Sequence, residues 1–409
     1  MASIEKTVGN AILTMIRSRR EPSAALKSDP VGLFSGVPAR VREAQFSDYE
    51  AATNLKRRWG LIPDSLENWE RLWHHNPALK NLQTNPPIGW VLEAEGTVVG
   101  YLGNISSLYR FGDKTLTAAT GSGLVVEPAY RAVALSLNAA FFRQKCVDLF
   151  LTTTAIEAVG KISRVFKSDP LPQEDYETVL LWVLQSYPFA QAVMNKLQLS
   201  PALSRVVGCT ATLAVGIDKL FRRRWPRESA TGLAVSEIKV SEIGKDFEDL
   251  WNEKLAEGAR LLADRSPETL RWHFEIPGDQ AMSRVLCCHK NGQLVGYLVI
   301  RDEVSQANGL RRSRIADMLV KQDDPKVLGV LMVSAYEHAL QAGSHILEVQ
   351  GFPASVRRQF ARWKPYTRKY PSCPFFYKAA SPTLHKMLGD SALWYATPFD
   401  GDATLMPQL

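Results

Sequence analysis

An α+β fold of two tandem units, each a mostly antiparallel central sheet flanked by helices, is what this sequence predicts. Three observations predict it. The string GTVVGYL at 96–102 returns half a chain later as GQLVGYL at 292–298. Upstream of each copy stands a Ser-x-Glu start followed by tryptophan, histidine and proline, SLENWERLWHHNP at 65–77 and SPETLRWHFEIPG at 266–278. The order of apolar runs, turns and periodic stretches is the same in the two halves. The repeat is domain-sized, far longer than the period of a solenoid.

Each repeated string reads as a β-hairpin: an apolar run, a turn glycine (Gly96 or Gly292), and a second strand with an interior glycine (Gly100 or Gly296) that marks a bulge or a close approach. Residues 1–20 read as a short amphipathic helix and 21–38 as a linker, so the first unit spans 39–168. It opens with a strand at 39–44, a helix starting at Ser47-Asp48, and a helix at 65–75 with Leu66, Trp69, Leu72 and Trp73 on one face. Strands follow at 88–95, 98–107 and 115–126, then a helix at 132–146, a strand at 148–153 and a helix at 156–167. The stretch 174–222 has apolar pairs on repeating faces and reads as a helical bridge, with the linking segment at 169–232. The second unit, 233–409, repeats the order: strand 233–239, helices 246–257 and 267–274, strands 283–290, 293–301 and 315–320, a helix at 325–342, a strand at 345–350, a helix at 354–362, and strands near 374–380 and 392–397.

Composition excludes several classes. Hydrophobic residues at 45% and charged residues at 22% are ordinary for a globular chain, not a disordered one. A net charge of +7 suits an anionic ligand but is too small to argue for nucleic acid. The basic run Arg222-Arg223-Arg224-Trp225-Pro226-Arg227 reads as a solvated linker. Cys146, Cys209, Cys287, Cys288 and Cys373 form no C-x-x-C pair, so neither a disulfide framework nor a zinc site is expected, and a reducing cytoplasm fits. No apolar run is long enough for a transmembrane helix, and the start of the chain lacks the pattern of a signal peptide. His74-His75 are adjacent and lack the spacing of metal ligands on one helix face. FDGD at 399–402 reads as an aspartate-glycine turn, not a metal loop.

The segment that carries chemistry is GLVVEPAYRAVALSLNAAFFRQ at 123–144. A strand ends at Val126, Glu127-Pro128 breaks it, and a helix opens with small residues at Ala132, Ala134 and Ser136. Small side chains there let an anionic group reach free backbone N–H groups, the helix dipole favours negative charge, and Arg131 adds a positive charge. The result is a pyrophosphate cradle without a Walker lysine. In the second half the matching entry, VKQDDPKVLGVLM at 320–332, places Asp323 and Asp324 where they would repel a pyrophosphate.

The element order, with V-x-P-x-Y-R before a helix of small residues, resembles the GNAT superfamily of acyl-CoA-dependent N-acyltransferases. That family's loop runs Arg or Gln, two variable residues, Gly, one variable residue, then Gly or Ala. Here it reads Arg131-Ala132-Val133-Ala134-Leu135-Ser136, with alanine and serine at the two glycine positions, and Ile156 stands where the family often has an asparagine. The resemblance covers about 40–167 by motif and 233–402 by element order. It implies acetyl-CoA or another acyl-CoA as co-substrate, held by Leu124, Val125, Val126, Tyr130, Arg131, Ala132, Val133, Ala134, Leu135 and Ser136, with no metal. It implies transfer of the acyl group to an amine acceptor, an amino sugar or a cell-surface polysaccharide precursor, by a cytoplasmic enzyme. The paired arrangement is also similar to the Fem-type transferases, which would imply charged tRNA as donor, and a non-catalytic binding protein on this fold is a third reading. As bases for the amine, Glu127 and Glu157 follow the two relevant strands; Thr152-Thr153-Thr154 could line the pocket, and Asp317, Glu348 and Gln350 lie on strands of the second unit that face it.

Overall fold

A computed structural model describes residues 38–82, 84–155, 157–196, 212–213, 215–218, 224–279, 281–369 and 375–405. The expected N-terminal helix and linker, Ile156, and most of 197–223 lie outside the described residues.

The first unit begins with β1 (Arg40–Glu43), α1 (Tyr49–Arg58) and α2 (Leu66–Trp73). The Ser65 hydroxyl caps α2 by accepting from Asn68 N–H at 3.1 Å. Then come β2 (Gly89–Ala94), the long hairpin β3 (Thr97–Phe111) and β4 (Lys114–Val126), α3 (Leu135–Phe142), β5 (Leu149–Thr152), α4 (Glu157–Val165) and a two-residue β6 (Asp169–Pro170). Next are β7 (Thr178–Val183) and α5 (Ser186–Lys196). The second unit has β8 (Ala234–Ile238), α6 (Lys245–Leu255), β9 (Leu261–Ala263), α7 (Pro267–Phe274), β10 (Met282–Lys290), β11 (Gln293–Val304) and β12 (Arg311–Val320). It closes with α8 (Pro325–Gln341), β13 (Ile346–Val349), α9 (Ala354–Ala361), β14 (Tyr366–Lys369), β15 (Phe376–Ala379) and α10 (Pro382–Met387). Ser266 caps α7 as Ser65 caps α2, accepting from Thr269 N–H at 3.4 Å.

The repeated strings occupy the same register. Gly100 faces Val126 and Tyr101 faces Val125 in the first sheet, while Gly296 faces Val320 and Tyr297 faces Leu319 in the second. Both interior glycines are needed for packing: a Cβ on Gly100 would meet Leu92 at 3.0 Å, and one on Gly296 would meet Val320 at 2.9 Å.

Two expectations are corrected. Residues 178–183, expected in a helix, form β7, because all but Thr178 are buried and both faces of the run are covered, a pattern that apolar periodicity does not distinguish from a buried helix. No strand forms over 392–397 as a whole: a 3-10 turn at Ser391–Leu393 leads into an extended segment with one bridge, Trp394 to Leu261.

The topology of β7 and β15 is reciprocal. The first sheet runs β1-β2-β3-β4-β5-β15-β6, with β9 also paired to β3; the second runs β14-β7-β13-β12-β11-β10-β8. Each unit therefore gives its final strand to the other. β15 crosses from the second half to sit between β5 and β6, and β7 crosses from the first half to sit between β13 and β14. One apolar core joins residues of both halves, from Tyr109 and Trp182 to Trp394 and Phe399. No helix among the described residues is long and apolar enough to cross a membrane.

Candidate functional site

β4 and β5 are parallel neighbours through Thr120 and Leu151, and there the pairing ends. β4 continues through Gly121–Val126 with no strand partner on that edge among the described residues. Opposite, against β3, the register slips between Tyr101 and Gly103, and Gly123 sits in this bulge with φ +64. Glycine is required here on two counts: the positive φ, and a Cβ that would lie 2.9 Å from Lys56 Cε. Lys56 is itself fixed, its ammonium 2.6 Å from Asp64 in a buried pair, with Asn68 donating to the other Asp64 oxygen. The bulge is thus pinned from behind, and the open edge of β4 faces the gap left by β5. Because Glu127 N–H donates to Val99 O at 2.8 Å, strand alternation turns the Val126 N–H the other way, toward the gap.

The loop after β4 differs from expectation. Pro128–Val133 is a 3-10 helix, and the α-helix begins at Leu135, not Ala132. Pro128 sets the first turn, and Tyr130 N–H to Glu127 O and Ala134 N–H to Arg131 O close the tight i to i+3 bonds. Arg131, Ala132, Val133 and Leu135 are exposed, and Ala134 and Ser136 are half-buried. The Ser136 hydroxyl donates back to Val133 O at 2.5 Å. Ser136 also lines an open groove of about 610 Å³ with Arg42, Trp90 and Arg143. Leu124, Val126 and Tyr130 pack their side chains under α3 against the cluster of Trp90, Phe141 and Phe150, whereas Val125 packs on the opposite face. Any contact these strand residues make with a ligand in the gap therefore runs through their backbone.

Neither expected base is free in the gap. Glu127 accepts from Arg58 at 2.6 Å and from the Trp59 indole at 3.1 Å. Glu157 is exposed on the first turn of α4 and pairs with Lys161 at 3.0 Å. A carboxylate that the sequence does not single out, Asp402, does lie in the gap. FDGD is a turn, as expected, with Asp400 N–H bonded to Thr397 O. Its second aspartate, however, is buried at the inner end of the gap. There the Asp402 carboxylate accepts from Thr153 at 2.7 Å, from Thr154 at 3.0 Å, and from Ser122 on β4. Gly401, at φ +80, permits this approach, since a Cβ would lie 2.3 Å from Thr153. The hydroxyls of Thr153 and Thr154 thus serve the tail of the chain.

In the second unit the equivalent features are closed. The Asp324 carboxylate caps α8 itself, accepting from Lys326 N–H at 2.8 Å and Val327 N–H at 3.3 Å. Asp323 is held by Lys254 at 2.7 Å and Arg260 at 2.8 Å. Tyr395 fills the space beside β12, its hydroxyl donating to Met318 O at 2.8 Å. Glu348 is buried among Arg368, Arg312 and Arg314; burial opposes its charge, but the arginines hold its pKa down at about 2. His74 stacks on Phe46 with ring centroids 3.7 Å apart, a packing role.

Between the units lies a buried charged network. Arg265 donates to both oxygens of Asp317, each at 3.0 Å, and lies 3.6 Å from Asp400. Tyr297 and Thr397 donate to Asp317, and Tyr109 of the first unit donates to Asp400 at 2.9 Å. Two carboxylates share one guanidinium, and burial pushes the Asp400 carboxyl up to about 6 from 3.8. A pKa raised in the folded state stabilises below the unfolded value and is lost as pH rises through the folded one. Relative to Asp400→Asn, the wild-type protein is expected to lose about 3 kcal/mol of stability between pH 4 and pH 7. Urea unfolding of both proteins across that range checks it; a difference that stays flat with pH refutes it. Adjoining the network is a narrow cavity of about 30 Å³, lined by Ser106, Tyr109, Trp272, His273, Phe399 and Gly401, room for one water. Burial holds the His273 pKa well below the usual histidine range, so the ring is neutral, and its Nε2 lies 2.7 Å from the Thr404 hydroxyl.

Among the described residues no group of histidine, cysteine and carboxylate side chains is arranged to hold a metal. No family model and no curated protein sequence matches the chain. Solved structures do. A GCN5-related N-acetyltransferase from Anabaena variabilis superposes with a TM-score of 0.53 at 11% identity, covering 84% of this chain and 73% of that one. A probable N-acyltransferase from Enterococcus faecalis gives 0.54 at 8% identity, covering 84% and 73%. Saccharomyces cerevisiae N-myristoyltransferase with bound myristoyl-CoA gives 0.51 at 12% identity, covering 86% and 81%. Identities this low speak to fold, and with the duplicated register and the exchanged strands they establish that this chain carries the fold of the GCN5-related N-acetyltransferases twice in tandem.

Proposed function

We propose that the chain is an N-acyltransferase whose first unit binds an acyl-coenzyme A and passes the acyl group to an amine. One observation carries this reading: the first unit keeps an open strand edge at a glycine bulge beside a gap between parallel strands, while the second unit fills the same place with Tyr395 and caps its own helix with Asp324. Backbone N–H groups on that edge, Val126 among them, are suited to polarise a thioester oxygen. We assign the pyrophosphate to the loop at Arg131–Ser136, where Arg131 is exposed to meet its charge. The acyl group is acetyl or longer; the bound myristoyl-CoA of the yeast neighbour makes long chains worth including. An amino sugar or polysaccharide precursor is the acceptor class proposed for the first screen.

The test is thermal unfolding with acetyl-CoA and myristoyl-CoA, on wild type and Arg131→Glu. Ligand at 100 times its dissociation constant stabilises a fold by about 2.7 kcal/mol. For a single transition of the whole chain, which the exchanged strands predict, this corresponds to roughly 3–4 °C. A shift in wild type that is reduced in Arg131→Glu supports the reading and its placement on the first unit. No shift with either thioester overturns it.

A further inference from the structure

Resting on the acyltransferase reading, we infer that the Asp402 side chain is the group that receives the acceptor's ammonium and takes its proton. Three features converge on it. First is position: Asp402 is wedged between Ser122 on β4 and Thr153-Thr154 just past β5, at the point where those two strands part. Second is charge. Asp402 is 4% exposed, and among the described residues no lysine, arginine or histidine forms an ion pair with it. Its partners are hydroxyls and its own N–H, which donates to Thr153 at 3.1 Å. The titratable group next along its segment, Asp400, is turned to Tyr109 and Arg265 instead. Third is contrast. Glu127 already neutralises Arg58, and Glu157 is in bulk water, so neither awaits a cation. Among the described residues its donors are neutral; a carboxylate buried in that way is costly, and an incoming ammonium would remove that cost.

The chemistry balances without a further reagent. The acceptor enters as an ammonium and transfers one proton to the Asp402 carboxylate. The freed nitrogen lone pair attacks the thioester carbon, forming the C–N bond. The C–S bond then breaks, its electron pair leaving with sulfur, and the second nitrogen proton goes to that thiolate to give free coenzyme A. Asp402 returns its proton to solvent, so one proton is released per turnover. Burial, opposed by the three hydroxyls, raises the pKa of this carboxyl, which brings it toward the value a base needs. Gly401 is part of the device, because only a residue without a Cβ lets the carboxylate reach this depth.

The experiment is a carboxyl-carbon NMR titration of the full chain labelled with 13C-aspartate, free, with coenzyme A, and with coenzyme A plus n-butylamine. Asp402→Asn identifies the resonance; the amide is nearly isosteric, and the threonine hydroxyls can reverse their bonds. If that variant does not fold, Thr154→Ala serves instead, since losing a donor moves the same resonance upward in pKa. The expected result is a resonance titrating above the ordinary aspartate value of 3.8 that falls by about half a unit or more when butylamine joins coenzyme A, an effect of a nearby cation. A coenzyme A-dependent thermal shift with an Asp402 indifferent to butylamine overturns this inference alone. Absence of any coenzyme A shift overturns the acyltransferase reading and this assignment together.

Discussion

Replacing Arg265 by alanine is expected to cost about 3–5 kcal/mol, enough to leave a marginally stable protein largely unfolded at 37 °C. Its guanidinium is fully buried between Asp317 and Asp400, which are themselves fully buried. Burial works against its charge, but the two carboxylates hold its pKa above the usual arginine value. Deleting the cation leaves both buried carboxylates without a counter-charge, and the penalty is that of desolvated charge, not of a lost contact. The control is Arg265→Ala with Asp317→Asn and Asp400→Asn, which removes the carboxylates along with the cation and is expected to recover much of the loss. Urea midpoints of the single and triple variants decide it. A single variant within 1 kcal/mol of wild type would show that water reaches the site after all.

That network also marks where the sequence stops being legible. The duplication was visible because its signals are local. Gly96-x-x-x-Gly100-Tyr101 and its copy each specify a turn and a strand, and Ser65 and Ser266 each cap the helix that follows them. The register Gly100 to Val126 and Gly296 to Val320 then confirms that the two strings do the same work. What could not be read depends on distant partners. Thr178–Val183 is an apolar run that suits a buried strand or a buried helix, and only its seat between β13 and β14 settles the matter. In the loop, the small residues were visible, but the 3-10 turn after Pro128 shifts the helix start by three residues, a difference of backbone geometry that composition does not encode. Asp402 sits in a turn that the Asp-Gly dipeptide announces, yet its partner Thr153 lies 249 residues upstream. A carboxylate in a turn reads as solvated until the fold shows what covers it.

The strand exchange sets the last expectation: neither unit folds without the other, and a chain ending at Lys369 fails in its first half although every residue of that half is present. Truncation there removes β15 from between β5 and β6, so the end of the first sheet loses its central partner. It also removes Phe376, Tyr377, Trp394, Tyr395 and Phe399, all buried. At about 2 kcal/mol per large apolar side chain, these five represent roughly 10 kcal/mol, comparable to the whole stability of a typical domain. Arg265 loses Asp400 and Thr397 in the same cut, and the gap beside β4 loses Asp402. Limited proteolysis and circular dichroism of residues 1–369 are expected to show rapid cleavage within 97–152 and no cooperative melt. Independent tandem units would instead leave a protease-resistant first half, and that result would reject the exchange. The same coupling predicts one calorimetric transition for the intact chain. A ligand bound at the first unit then stabilises both, because the strand that completes its sheet is anchored in the other.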